Sequence, residues 1–270
     1  MAEQTVALVD KTGTIGRPKL EAVAAALKIQ ANRHLKPFWP HVDADVVVMA
    51  ADAKIPPTTM PVYIGANLPP GKEGTHNDDT GLPFAEVHME EGDAWMITVS
   101  HEVLEMLVDP TLRLTIAGPA VGVKNGKIFD APGTFDYLVE VCDPSESPDH
   151  GYTIDGIPVS DFYTPHFFDA APKPGTQYSY TGALKEPRRI LKGGYLSWHN
   201  PALKVWQQLR WIDAPKPTIA TVDWTPPGGV LFSREHIDMH TKTSRMLSQT
   251  HKHHPLLLRA AQERGALPRG

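Results

Sequence analysis

Residues 94–110 read AWMITVSHEVLEMLVDP. Trp95, Met96, Val99, Val103, Leu104, Met106, Leu107 and Val108 cover most of a helical circumference, which predicts a buried helix. Gly92-Asp93 offers an N-cap and Asp109-Pro110 a stop, so the spacing predicts a helix over 94–108. Set among the apolar residues are His101, Glu102 and Glu105, each costly to bury without a partner. An exposed charged stripe would account for the two glutamates. It would not account for the apolar residues on every side of them.

A metal ion resolves the conflict. Residues i and i+4 lie on one helical face, so His101 and Glu105 can converge on a single ion. Glu102 sits roughly 100° around the helix. From there it reaches a water bound to that ion rather than the ion itself, the logic of the H-E-x-x-H zinc helix with its glutamate base. A catalytic site wants a third protein ligand and an open position. Glu140, between Val139 and Val141 in FDYLVEVCDPSE (135–146), is the first candidate; an outward-facing strand glutamate is the competing reading. Asp143, Asp109, His150 and His166 are the alternatives, with Asp109 also placed to orient a ligand from one turn beyond Glu105. Cys142 would share a face with Glu140, and a lone buried cysteine is more often packing.

Working outward, TVALVD (5–10) reads as a buried strand, residues 20–39 as a helix rich in good helix formers, and 44–51 and 61–66 as two more strands. Strand, helix, strand predicts a β-α-β unit with a parallel pair. Residues 71–81 form a polar loop. LPFAEVHME (82–90) alternates tolerably and reads as an exposed edge strand carrying Phe84, Glu86 and His88. Residues 111–165 predict short strands and turns, with hairpin signals at KNGK (124–127) and IDGI (154–157). A short helix is expected near 201–210 and a polar helical stretch over 234–265, interrupted at Pro255. KHH (252–254) reads as a solvated helix end.

The chain has 270 residues, 26 prolines, 21 glycines and a net charge of −5. Neither nucleic-acid nor membrane attraction is expected from that balance. Its single cysteine excludes an internal disulfide. No secretory signal and no apolar run of about 18 residues is visible, so a cytoplasmic location is expected.

The blocks TVSHEVLEMLVDP, EVCDP and VSDFYTPHFFD together resemble a group of uncharacterised bacterial and phage proteins with HEVLEM-like and EVCDP-like blocks. That group is similar to a divergent, gluzincin-like branch of the zincin metallopeptidases. The resemblance spans residues 75–170. It implies an α+β, zincin-like fold: a β-α-β mixed sheet whose edge strand lines the cleft, a central metal-binding helix, and an irregular strand- and loop-rich C-terminal part. The expected division is a catalytic core over 1–170 and a proline-rich wrap with a helical end over 171–270. Most zincins carry histidine where this chain has Glu105. One nitrogen and two anionic oxygens make a bound water less acidic and shift preference from Zn2+ toward Mn2+ or Fe2+, with zinc still expected.

The implied activity is peptide hydrolysis with Glu102 as general base and an extended peptide or protein substrate added to the edge strand. Tyr195, after Gly193-Gly194, is the expected oxyanion donor, with Tyr163, His166 and His199 as alternatives. Two other functions fit the same residues: a metallohydrolase or oxygenase acting on a small molecule, and a non-catalytic binding or assembly protein with a structural metal.

Overall fold

In the computed structural model, which describes residues 3–67, 74–77, 83–89, 92–222 and 255–263, the apolar run at the N-terminus becomes β1 (Gln4–Asp10). It pairs in parallel with β2 (Ala44–Met49) on one side and β3 (Thr59–Ile64) on the other. The crossover is α1 (Arg17–Ile29), with Pro18 in its first turn, where a missing N–H costs nothing. The helix continues as a π turn over Gln30–Leu35. Asp10 accepts backbone N–H groups from Thr12, Gly13 and Ile15 and so shapes the turn into α1.

The expected edge strand is not an edge. β5 (Phe84–Val87) lies inside the sheet, parallel to β3 and antiparallel to β4 (Gly74–Asn77), giving the order β2-β1-β3-β5-β4. The GTHN stretch read as loop supplies the edge, because its backbone completes the β5 ladder. Ala85 and Val87 are fully buried, whereas Phe84 and Glu86 face the other way and His88 is exposed beyond the strand.

Helix α2 (Ala94–Val108) forms where the sequence places it, and every residue except Thr98 is buried. Asp93 makes no side-chain cap; it pairs with Lys19 at 2.8 Å. After α2 comes a long hairpin, β6 (Thr115–Lys124) and β7 (Lys127–Leu138). Asn125 and Gly126 both take positive φ at its turn, and Asp155 and Gly156 do the same between β8 (Tyr152–Ile154) and β9 (Ile157–Val159).

β10 (Tyr195–Asn200) pairs with β7, and β11 (Val205–Arg210) and β12 (Thr218–Val222) follow, giving a second sheet in the order β12-β11-β10-β7-β6. The helix expected near 201–210 is therefore a turn and a strand. Asn200 Oδ1 accepts from the N–H groups of Ala202 and Leu203, and pairing on both edges of β11 overrides helix propensity. One hydrophobic core joins the two sheets and α2, with Trp95, Trp198, Tyr163 and Phe167 among its largest members. Of the expected C-terminal helical stretch, α3 (Pro255–Glu263) is described and the remainder, with KHH (252–254), lies outside the described residues. The chain is thus mixed α+β. Among the described residues, no helix is long and apolar enough to cross a membrane.

Candidate metal centre

Helix α2 sets the first donors. His101 Nε2 lies 3.2 Å from Glu105 Oε2 one turn on. The second element is the stretch after β7. That strand ends at Leu138, so strand alternation does not govern Glu140 and Cys142. Residues 139–142 instead run through the core into a 3-10 turn at Asp143–Ser145. Glu140, Cys142 and Asp143 are all buried, and Glu146 is nearly so. Asp143 Oδ1 reaches His101 Nε2 at 3.2 Å. The Cys142 N–H donates to Glu105 Oε1 at 3.1 Å, which fixes that carboxylate with Oε2 turned to the imidazole.

Two ligand atoms about 2.1 Å from one ion at a tetrahedral angle stand roughly 3.4 Å apart. Both contacts of His101 Nε2, at 3.2 Å, lie close to that spacing and also serve as imidazole–carboxylate ion pairs, and the nitrogen and oxygen donors are of the type a divalent ion takes. Potential ligand atoms of Glu105, Glu140 and Asp143 also lie within 4.8 Å of one another, as do those of His101, Asp143 and Glu146, and those of His101, Glu105 and Cys142.

The electrostatics follow from burial. Desolvation opposes charge on His101, but Glu105 and Asp143 outweigh it and raise its pKa well above the usual 6.5. Burial pushes the Cys142 thiol up, and the His101 charge only partly opposes this, so the thiol stays protonated. Burial also raises the Tyr163 phenol, and the carboxylates of Glu140, Glu105 and Asp143 raise it further. A backbone hydrogen bond at Glu140 opposes this only in part.

Glu102 has a partner that the sequence reading passed over. His76 on β4 is wholly buried, and its Nδ1 lies 3.1 Å from Glu102 Oε2 and 3.8 Å from Glu105 Oε2. The two form a buried hydrogen bond whose donor depends on the imidazole tautomer. Spacing gave no signal for His76, a single histidine in a polar stretch. Glu146 was missed because it follows the DPS turn with no apolar pattern around it.

The other sequence candidates have surroundings of their own. Asp109 ends α2 and accepts from Leu114 N at 2.7 Å and Thr111 Oγ1 at 3.1 Å, so it shapes the turn after the helix. His166 is exposed and faces Asp169 at 3.3 Å. His150 closes a 3-10 turn at Pro148–His150. His199 stands 3.6 Å from Asp136 on the second sheet. Tyr195 is buried in β10 opposite Arg210. The glycines before it serve a different approach: a Cβ on Gly194 would come within 2.6 Å of the carbonyl oxygens of Asp143 and Pro144. This backbone thus presses on the turn that presents Asp143. Of the expected tyrosines, Tyr163 lies against the carboxylates of Glu140, Glu105 and Asp143. Phe84 lines a groove with Ile55, Pro57 and Tyr63.

No family model matches the chain, and neither a curated protein nor a solved structure does.

Proposed function

We propose that this protein is a metal-dependent hydrolase of zincin-like, gluzincin-type design, acting on peptide bonds, with zinc as the first-choice ion. The observation that carries the reading is His101 Nε2 held between Glu105 Oε2 and Asp143 Oδ1, each at 3.2 Å, inside the core. His101 with Glu105 and Asp143 on either side supplies the first donors, and Glu140 groups with both carboxylates. A divalent ion there would polarise a carbonyl and make a water more acidic.

The chain's own groups supply the proton handling. Glu102, one residue past His101, takes the proton from the attacking water and returns it to the leaving amine. His76 fixes the orientation of that carboxylate through Oε2. Tyr163 lies beside the carboxylates, and Tyr195 opens the strand that packs on the Asp143 turn. Among the described residues β4 is the last strand of its sheet and passes close to Glu102, so an extended peptide added to the sheet on that side would lie along the site.

The test combines elemental analysis of freshly purified protein with cleavage of a quenched fluorescent peptide pool. At one equivalent of zinc, Glu102→Gln keeps the ion and loses cleavage. Protein without bound metal, or cleavage undiminished in Glu102→Gln, overturns the reading. A structural metal in a binding or assembly protein is the second reading. It is favoured by the number of buried carboxylates around His101, enough to close all four positions of a tetrahedral ion. In that case metal is present and wild-type cleavage is absent.

A further inference from the structure

The cluster has two poles. At one, His101 meets Glu105 and Asp143. At the other, His76 Nδ1 lies 3.1 Å from Glu102 Oε2 and 3.8 Å from Glu105 Oε2, and one donor atom of each of these three residues lies within 4.8 Å of the others. Among the described residues, no grouping that tight contains both histidines. His76 groups with Glu102 and Glu105, whereas His101 groups with Asp143 and Glu146 or with Glu105 and Cys142, so each imidazole has its own set of donors. Glu105 Oε2 faces both, at 3.2 Å from His101 and 3.8 Å from His76.

We infer that His76, Glu102 and Glu105 form a second site for a divalent cation, with Glu105 shared between the two ions. The inference rests on the metal-hydrolase reading and adds regulation to it. Charge supports it. Glu102, Glu105, Glu140, Asp143 and Glu146 are five carboxylates at 9 % exposure or less. A cation seated among buried carboxylates lowers the cost of holding them ionised in the core. One imidazole with two carboxylate oxygens suits Zn2+ or Mn2+. The consequence is functional. A cation seated on Glu102 Oε2 takes the general base out of service. The one-ion protein is therefore the working form, and excess cation silences it.

The probe is the metal alone. Full-length protein, stripped with chelator, is titrated with ZnCl2 or MnCl2 and assayed by calorimetry and by elemental analysis after gel filtration. Wild type takes up two ions per chain in two steps. His76→Ala takes up one. Glu102→Gln, close in shape and so safe for folding, also takes up one, the tighter. With Mn2+, the second equivalent replaces the signal of an isolated ion by that of a spin-coupled pair. One ion in wild type, two ions in the variants, or two uncoupled Mn2+ signals overturns the second site and leaves the first standing. No ion at all overturns both.

Discussion

His101 Nε2 on α2 and Asp143 Oδ1 in the turn after β7 lie 3.2 Å apart, inside the core and far apart in sequence. That contact ties the helix to the segment carrying Glu140, Cys142 and Glu146. It also brings Asp143 against the imidazole alongside Glu105, while Glu140, which the sequence favoured, groups with those two carboxylates.

The first prediction compares two residues that the sequence ranked together. Asp143→Asn removes a charged donor from His101, and zinc affinity falls at least about tenfold. His166→Ala leaves affinity unchanged, because His166 is exposed and faces Asp169. Competition against a chromophoric chelator measures both. Equal affinities in wild type and Asp143→Asn would remove Asp143 from the ligand set.

A second prediction concerns protons. Burial opposes charge on His101, and Glu105 and Asp143 overcome that opposition, so its pKa in the ion-free fold is raised well above 6.5. A metal needs the neutral imidazole and must expel this proton at neutral pH. For the ion-free protein the sign is fixed. A raised folded pKa adds stability that is complete below the unfolded value near 6.5 and fades as pH climbs through the raised one. Thermal midpoints in chelator from roughly pH 6 to 9 should fall for wild type and fall less for His101→Gln. Calorimetry in buffers of different ionisation heat should report proton release when zinc binds. Parallel pH profiles for the two proteins, with no proton released, would contradict the account.

The elements easiest to read were those whose signal is local. The run at β1, the Ala-rich α1 and the apolar circumference of α2 state their structure through composition and period. The positive-φ pairs Asn125-Gly126 and Asp155-Gly156 state theirs through turn chemistry. What depended on distant pairing was hidden. β4 is a strand only because β5 supplies its ladder, so GTHN read as loop and His76 went unseen. β11 carries Leu203-Lys204 just before it and two glutamines within it, and read as helix until β10 and β12 claimed both its edges. In the site, the i, i+4 geometry of His101 and Glu105 follows from helix geometry alone. Their meeting with Asp143 required knowing where β7 ends.

The third prediction tests the close approach of β4 to α2. A Cβ on Gly74 would lie 2.5 Å from Glu102 Oε1 and 2.7 Å from Thr98 Cγ2. Gly74→Ala must push the strand off the helix or turn Glu102 aside. Overpacking of this kind costs roughly 1–3 kcal/mol, and displacing Glu102 lowers peptide cleavage as well. Gly92→Ala is the contrasting change: it meets open space and bears only the strain of its positive φ. Denaturant titration with a cleavage assay reads both effects. A Gly74→Ala protein of unchanged stability and activity would mean that β4 does not press on the site.

The last prediction concerns what holds α2 in place. Ser100, next to His101, points away from the metal donors into a buried polar junction. Its hydroxyl donates to Gln30 Oε1 at 2.8 Å and accepts from Ser160 N at 2.9 Å, while Gln30 Nε2 donates to Ser160 O at 2.9 Å. One hydroxyl thus joins α2, the π turn after α1 and the chain leaving β9, and all three residues are buried. Ser100→Ala leaves the Gln30 carbonyl and the Ser160 N–H without that partner, and each orphaned group costs roughly 1–3 kcal/mol. Ser100→Thr keeps the hydroxyl and should recover part of the loss, limited by room for one methyl group. Because Ser100 touches no metal donor through its side chain, zinc stoichiometry should stay at the wild-type value in Ser100→Ala wherever the protein remains folded. Chemical denaturation of the zinc-loaded protein gives the first quantity and elemental analysis the second. A wild-type midpoint in Ser100→Ala would show that the junction does not anchor the helix.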